Sequence, residues 1–137
     1  MSLQFIYQFQ ARIYEIFSRS EQIRALVTGI YLLVQHDAKH PFILISILKV
    51  NDISKYEMAI YEIDFEISIF ARDKSLESLL KIVGNIASIL KPEAFDGQGY
   101  KALSLKHLGL EFVRGHDLLT TKIVMNYKAL IQGALEE

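Results

Sequence analysis

Hydrophobic and polar residues alternate from Tyr61 to Ala71, and apolar residues then recur at helical spacing as far as Leu90. The period of two predicts a β-strand with one buried face and one face in water. The helical spacing predicts an amphipathic helix with Leu80 in its buried stripe. Asp73 and Ser75 stand at the change of period, where a side-chain oxygen caps the first free N–H groups of a helix. The apolar helical positions are Leu76, Leu79, Leu80, Val83, Ile86, Ala87 and Leu90.

The same periodicities predict the remaining elements. A first helix is expected from Leu3 to about Arg19, with a short turn to Leu26. The other predicted strands are Ile30–Val34, Phe42–Val50, Leu103–Arg114 with a bulge near His107–Gly109, and Leu119–Ile131, the last two forming a hairpin. The predicted fold is α+β, with a mostly antiparallel sheet of about five strands and two main helices packed on one face. We expect one domain over residues 1–137.

The segment Phe42–Val50 is nearly uninterrupted apolar sequence. A strand of this kind needs cover on both faces. It is therefore predicted to be central, or to be covered by a helix on one face and by a partner subunit on the other.

Composition excludes several function classes. The chain has a net charge of -1, from 15 Lys+Arg and 16 Asp+Glu, and contains no run of basic residues. This argues against tight binding to nucleic acid, which needs a basic surface. The chain has no cysteine, which excludes disulfides, thiolate zinc sites and cysteine nucleophiles. It has neither signal-peptide features nor an apolar run of about 20 residues, so a soluble intracellular protein is expected, without a membrane.

Candidate catalytic and metal-binding groups are few. His36 and His40 have the i,i+4 spacing of zinc ligands, but they lie in a loop closed by Pro41 and lack further ligands, so no metal or cofactor is expected. Glu62, Asp64 and Glu66 share the wet face of their strand. Such a row is consistent with acid–base work or cation binding, and more readily with a solvated face or a ladder of salt bridges.

Four segments, taken in order, resemble those of a known family. They are GIYLLVQHDAKHPFILIS, then YEIDFEISIFARDKS running into LESLLKIVGNI, then LGLEFVRGHD, and finally LLTTKIVMNYKALI. Their order and spacing, from about Ile23 to Ile131, resemble the tail-terminator (tail-completion) proteins of long-tailed bacteriophages, prophages and gene transfer agents. The aromatic-rich first helix and the apolar Phe42–Val50 segment depart from the family pattern.

The resemblance implies a structural subunit without catalytic residues, which forms a hexameric ring on the head-proximal end of the tail tube. The implied partners are further copies of the chain, the tail-tube subunit and head connector proteins, with DNA only as passing cargo. The implied location is the bacterial host cytoplasm during assembly, and then the virion tail or a tail-like particle.

A ring uses two different patches of each subunit. We expect them on the polar connectors Asn51–Glu57, Glu93–Lys101 and Gly115–Asp117 and on the charged strand faces. Lys122 and Lys128 meet the acidic row either within the sheet or across subunits. The candidate interface residues are Asp52, Lys55, Glu57, Glu62, Asp64, Glu66, Asp96, His116, Asp117 and Lys122.

Two alternatives stay open. Another joining component of a phage particle, such as a head-completion, connector or minor tail protein, shares the ring geometry and the lack of catalysis, so the sequence separates it poorly from a tail terminator. A small enzyme that depends on carboxylates or a metal would instead need Glu62, Asp64, Glu66 and the histidines to converge in one pocket.

Overall fold

The computed structural model of the protein describes residues 4–33, 36–72 and 74–133. The helices are α1 (Gln4–Ser18), α2 (Glu21–Leu26), α3 (Leu76–Ile89) and a short 3-10 helix (Pro92–Phe95). The strands are β1 (Gly29–Tyr31), β2 (Phe42–Asp52), β3 (Ala59–Arg72), β4 (Lys101–Arg114) and β5 (Thr120–Gly133). Leu3, Val34 and Asp73, where the sequence predicts a helix start, a strand end and a cap, lie outside the described residues.

Within the described residues the strands form one sheet in the order β1-β2-β3-β5-β4. β1 is parallel to β2, and every other pair is antiparallel. β3 and β5 pair from Ala59↔Gly133 to Arg72↔Thr120, so the two strands that alternate most clearly in sequence form the middle of the sheet. The predicted α+β fold is confirmed.

The helices pack on one face of this sheet, as the alternation of β3 and β5 predicts. Alternate side chains of both strands are buried in one cluster with α1 and α3. Phe9 of α1 packs edge-on against Phe65 of β3, with ring centroids 5.3 Å apart, and stacks on Phe95 at 5.0 Å. Such aromatic pairs contribute about 0.5–1.5 kcal/mol beyond the area they bury. The opposite face has no helix on it among the described residues, and we call it the helix-free face.

α3 begins as predicted but lies rotated about its axis. Ser75 is the N-cap, and its Oγ accepts a hydrogen bond from the N–H of Ser78 at 3.2 Å. The buried residues of the helix are Leu79, Ile82, Val83 and Ile86, whereas Leu76, Leu80 and Ala87 are exposed. The prediction that Leu80 is a core residue is wrong. Each residue turns about 100° around the helix, and Ile82 extends the apolar arc of α3 on the side away from Leu80. With the middle of this arc against the sheet, Leu80 lies at the border of the arc and is exposed.

β2 is enclosed over only part of its length. β1 pairs with Phe42–Leu44, and no other described strand pairs with the outer side of β2, so the remainder of β2 is an edge of the sheet in the described part of the chain. Leu48 lies at a bulge between Ile47 and Lys49 and is 55% exposed. The prediction of a central strand holds only for its first three residues.

The β4–β5 hairpin forms as predicted. The register shifts between His107 and Gly109, where the sequence indicates a bulge, and again between Ala102 and Ser104. β4 is the outer strand, and no described strand pairs with its far side. The sheet therefore has a long edge at β4 and a shorter one along the second half of β2.

Candidate interface surfaces

The acidic row lies on the helix-free face, and two of its three residues are paired within the sheet. Nζ of Lys128 lies 3.6 Å from Oε1 of Glu62 and 3.6 Å from Oδ1 of Asp64. Asn51 donates to the Glu62 carboxylate at 3.3 Å. The ladder arises because Asp64 and Lys128 are register partners on β3 and β5. These side chains are partly exposed, so each pair contributes about 0.2–1 kcal/mol.

Glu66 and Lys122, two further charged candidates on this face, are not part of that ladder. Neither makes an ion pair with another described residue. Nζ of Lys122 instead lies 5.3 Å from the centre of the Phe70 ring, a cation–π contact. Lys128 thus meets the acidic row within the sheet, whereas Lys122 does not.

The connector between β2 and β3 is a narrow hairpin. Lys55 and Met58 exchange backbone hydrogen bonds of 3.1 and 2.9 Å across a two-residue tip, Tyr56 and Glu57. Asp52 braces the base by accepting a hydrogen bond from the Ser54 N–H at 2.9 Å, and the hydrogen bonds from Ser54 lower the pKa of that carboxyl. Lys55 and Glu57 are exposed charges on the tip.

Tyr56 occupies the strained position of that tip. Its φ is 57° and its side chain is 100% exposed. A left-handed backbone is costly for any residue with a Cβ, and two-residue hairpins usually place glycine, asparagine or aspartate there. The hairpin tip therefore presents an aromatic ring to solvent.

Asp117 organises the turn between β4 and β5. Its carboxylate accepts hydrogen bonds from the N–H groups of Thr120 at 2.9 Å and Leu119 at 3.0 Å, and from the Thr120 hydroxyl at 2.9 Å. Arg72, at the end of β3, pairs with it at 2.9 Å. The hydrogen bonds from Thr120 and Leu119, with a smaller contribution from Arg72, lower the pKa of Asp117 to about 2. The Asp117 carboxylate therefore makes its contacts within its own subunit.

The remaining candidates are exposed turn residues that do not converge on a common pocket. His116 lies in the β4–β5 turn, and Asp96 precedes Gly97, whose φ of 80° the tight turn requires. Among the described residues, no three His, Asp or Glu side chains lie close enough together to hold a metal ion. Two buried tyrosines, Tyr100 and Tyr127, have pKa values raised to about 12 by burial.

Sequence reasoning missed a set of exposed apolar side chains at the two edges of the sheet. Large apolar residues inside connectors that were interpreted as polar, and at the bulge positions, could have indicated these exposed side chains. Those near the β2 edge and its hairpin are Leu48, Ile53, Tyr56 and Met58, and those on β4 are Leu103, Leu108, Phe112 and Val113.

No helix in the described part of the chain combines the length and the apolar character that crossing a bilayer requires. No curated protein matches the chain at a significant level of sequence similarity.

Two comparisons identify relatives. A family model described as "Tail completion protein gp17" matches residues 11–132. The fold is similar to that of a chain in the "Virion of native gene transfer agent (GTA) particle", with a TM-score of 0.82 and 20% sequence identity, covering 96% of this chain and 100% of that one. The resemblance read from the four sequence segments is confirmed. Because the family model spans most of its length, the chain belongs to the tail completion protein gp17 family and is a structural component of a phage tail.

Proposed function

We propose that the protein forms a hexameric ring on the head-proximal end of a phage-like tail tube, where it stops tube growth and joins the tube to the head connector. The observation that carries this proposal is the family match over residues 11–132. The protein acts without enzymatic chemistry, as one domain, and assembles in the host cytoplasm before it remains in the tail.

The charges of the helix-free face suit a protein that lets DNA pass. Retention of a duplex needs cations free to contact phosphates. On this face Lys128 is neutralised by Glu62 and Asp64, and the lysines without an ion pair to another described residue, Lys49, Lys106 and Lys122, share the face with Glu66 and Glu111. The chain as a whole has a net charge of -1, so the face has no basic excess. We therefore regard DNA as cargo and not as a ligand of this surface.

The β2–β3 hairpin is the connector best built to contact a neighbouring protein. Its tip presents Tyr56 fully exposed between Lys55 and Glu57. A tyrosine side chain has only two rotatable torsions and loses little conformational entropy on binding, which is why tyrosine is frequent at binding hot spots. The Asp117 turn is less suited, since its carboxylate is already engaged by its own chain.

The test mixes the purified protein with polymerising tail-tube subunits and measures tube lengths by electron microscopy. We expect tubes to become shorter as the ratio of protein to tube subunit rises, with a ring at one end. Tubes of unchanged length without terminal rings would refute tube completion and favour a different joining component.

A matched pair of variants locates the working surface in the same assay. Tyr56→Ala removes the ring at the hairpin tip, and Tyr7→Ala removes an exposed tyrosine of α1. We expect Tyr56→Ala to lose most of the length control and Tyr7→Ala to retain it. Equal activity of the two variants would exclude the hairpin tip as a contact.

A further inference from the structure

The two edges of the sheet are both open, but they differ in length and shape. β4 is 14 residues long and has no partner on its outer side among the described strands. On the opposite edge, β1 covers only Phe42–Leu44, and no other described strand pairs with the outer side of β2 from Ile45 to Asp52. Within that stretch, the Nε2 of Gln10 in α1 donates a hydrogen bond to the Ile45 carbonyl at 2.9 Å. Unpaired strand edges of this length are templates for pairing with another chain.

Exposed apolar side chains concentrate at these edges. Of the fifteen large apolar side chains that the described residues expose, ten lie in residues 48–58 or 101–119. These two segments make up fewer than a quarter of the chain, so the concentration is not a general property of its surface. A head-to-tail contact needs two unlike patches on one subunit, and the opposite edges provide them.

We infer that copies of the chain join head to tail, the β4 edge of one copy adding to the open half of β2 in the next. This inference deepens the proposed ring and rests on it. Strand direction supports a second copy as the occupant. Antiparallel pairing of β2, β3, β5 and β4 in turn makes β4 run opposite to β2. A copy placed alongside in the same orientation therefore pairs antiparallel, the more stable arrangement.

The register of this pairing follows from the position of β1. Through β3 and β5, Lys49 lies level with Lys106, and Leu44 lies level with Glu111. An unstaggered junction would set the last residues of β4 against β1 of the neighbour. Moving the neighbour by four residues clears β1, and Arg114, the last residue of β4, then lies opposite Ile45, the first residue of β2 beyond its pairing with β1.

The same stagger makes the two edges complementary. With the bulge residues Leu48 and Leu108 left out of the pairing, Glu111 lies opposite Lys49 on the helix-free face. On the helix side, Phe112 lies opposite Ile47 and Leu110 opposite Val50. Without the stagger, Lys49 would lie beside Lys106, and like charges directly opposite are destabilising.

The stagger also matches the geometry of closed sheets. Four residues of stagger across the four long strands of a copy amount to one residue per strand. That is the ratio in eight-stranded barrels of shear 8, whose strands tilt by about 36°. A head-to-tail junction with this stagger is therefore compatible with a closed ring of strands.

The test is disulfide trapping, which is clean because the chain has no cysteine of its own. The paired variant is Lys49→Cys with Glu111→Cys, and the matched control is Lys49→Cys with Lys106→Cys, which reports the unstaggered register. All three positions are exposed. Within one copy, three strand spacings of about 4.8 Å separate β2 from β4, beyond the 7 Å that a disulfide spans. Any disulfide therefore joins two copies.

Each pair is oxidised both alone at high concentration and together with polymerising tail-tube subunits. We expect the Lys49/Glu111 pair to give a ladder of linked chains, about tenfold above the control, since a disulfide needs Cα atoms within about 7 Å. Linking at or below the control level in both conditions would overturn the inference, and linking by the Lys106 pair alone would overturn the register.

Charge reversal supplies an independent readout. Lys49→Glu should weaken assembly as measured by solution mass, and adding Glu111→Lys should restore it; failure of the double variant to recover would count against the pairing. Linked ladders without effect on tube length would refute the proposed function and leave the edge pairing intact. Tube completion without Lys49/Glu111 linkage would refute the edge pairing and leave the proposed function intact.

Discussion

Two adjacent leucines of α3 provide a controlled test of how this helix packs. Leu79 is 2% exposed and Leu80 is 42% exposed. Both belong to the same turn of one helix, and Leu→Ala changes helix propensity by nearly the same amount at either position. A difference between Leu79→Ala and Leu80→Ala therefore reports burial alone.

The expected magnitudes follow from the two environments. Leu79→Ala removes side-chain carbons from a closed core and leaves a cavity, which typically costs 2–5 kcal/mol. Full burial of a leucine side chain is worth about 1.5–3 kcal/mol. Leu80 has only part of that burial to lose, and its open position leaves no cavity, so Leu80→Ala should cost about 1 kcal/mol or less.

The measurement is urea denaturation, with the difference in free energy taken from the midpoints at an unchanged m value. The chain has no tryptophan, so far-ultraviolet circular dichroism follows the transition. Each variant is measured at two protein concentrations, because self-association would stabilise the folded state by mass action. Equal losses for the two variants, or a larger loss for Leu80→Ala, would refute the orientation of α3.

The remaining predictions concern Asp117, Tyr127 and Tyr56. The folded-state pKa of Asp117, about 2, lies below its unfolded value near 3.9. Its stabilising contribution is therefore present above about pH 4 and lost as the pH falls toward 2, and Asp117→Asn should flatten this part of a stability–pH curve. The pKa of Tyr127 is raised to about 12, so stability should fall as the pH rises from about 10 toward 12. Tyr127→Phe should reduce that fall without loss near neutrality, since the buried hydroxyl has no hydrogen-bond partner among the described residues; a marked loss at pH 7 would contradict this. Tyr56→Gly should raise the thermal midpoint slightly, because glycine relieves about 1 kcal/mol of left-handed backbone strain, and a lowered midpoint would show that the aromatic ring stabilises the fold.

Local periodicity predicted the elements that pack against one another. In β3 and β5 every second residue contacts the core, so the period of two identified the buried faces. The β4–β5 hairpin was predicted from the short turn between the strands, and its bulge from the shift in the phase of the alternation. Periodicity did not fix the rotation of α3, because seven apolar positions spread over a broad arc fit more than one orientation. The orientation of α3 is determined by its packing against the sheet, which local sequence periodicity does not specify.

The candidate interface was harder to predict, because it depends on register and on the length of a neighbouring strand. Whether Lys128 or Lys122 meets the acidic row depends on which residue of β5 lies beside Asp64. That the apolar β2 has an open half follows from the shortness of β1. Asp117, a candidate contact from sequence, is held by Thr120 and Arg72. The exposed edge residues went unrecognised because apolar residues are by default assigned to the core.

The most direct test of the central claim counts the copies at a tube end. Ala87 is exposed on α3 and belongs to neither of the two proposed edge strands, so Ala87→Cys in this cysteine-free chain accepts a single dye outside the strands of the proposed junction. Labelled protein is added to polymerising tail-tube subunits, and individual tubes are followed by photobleaching. A hexameric terminal ring predicts fluorescence at one end of each tube that is lost in six steps. Dye distributed along the tubes, or ends that carry a single copy or none, would contradict it.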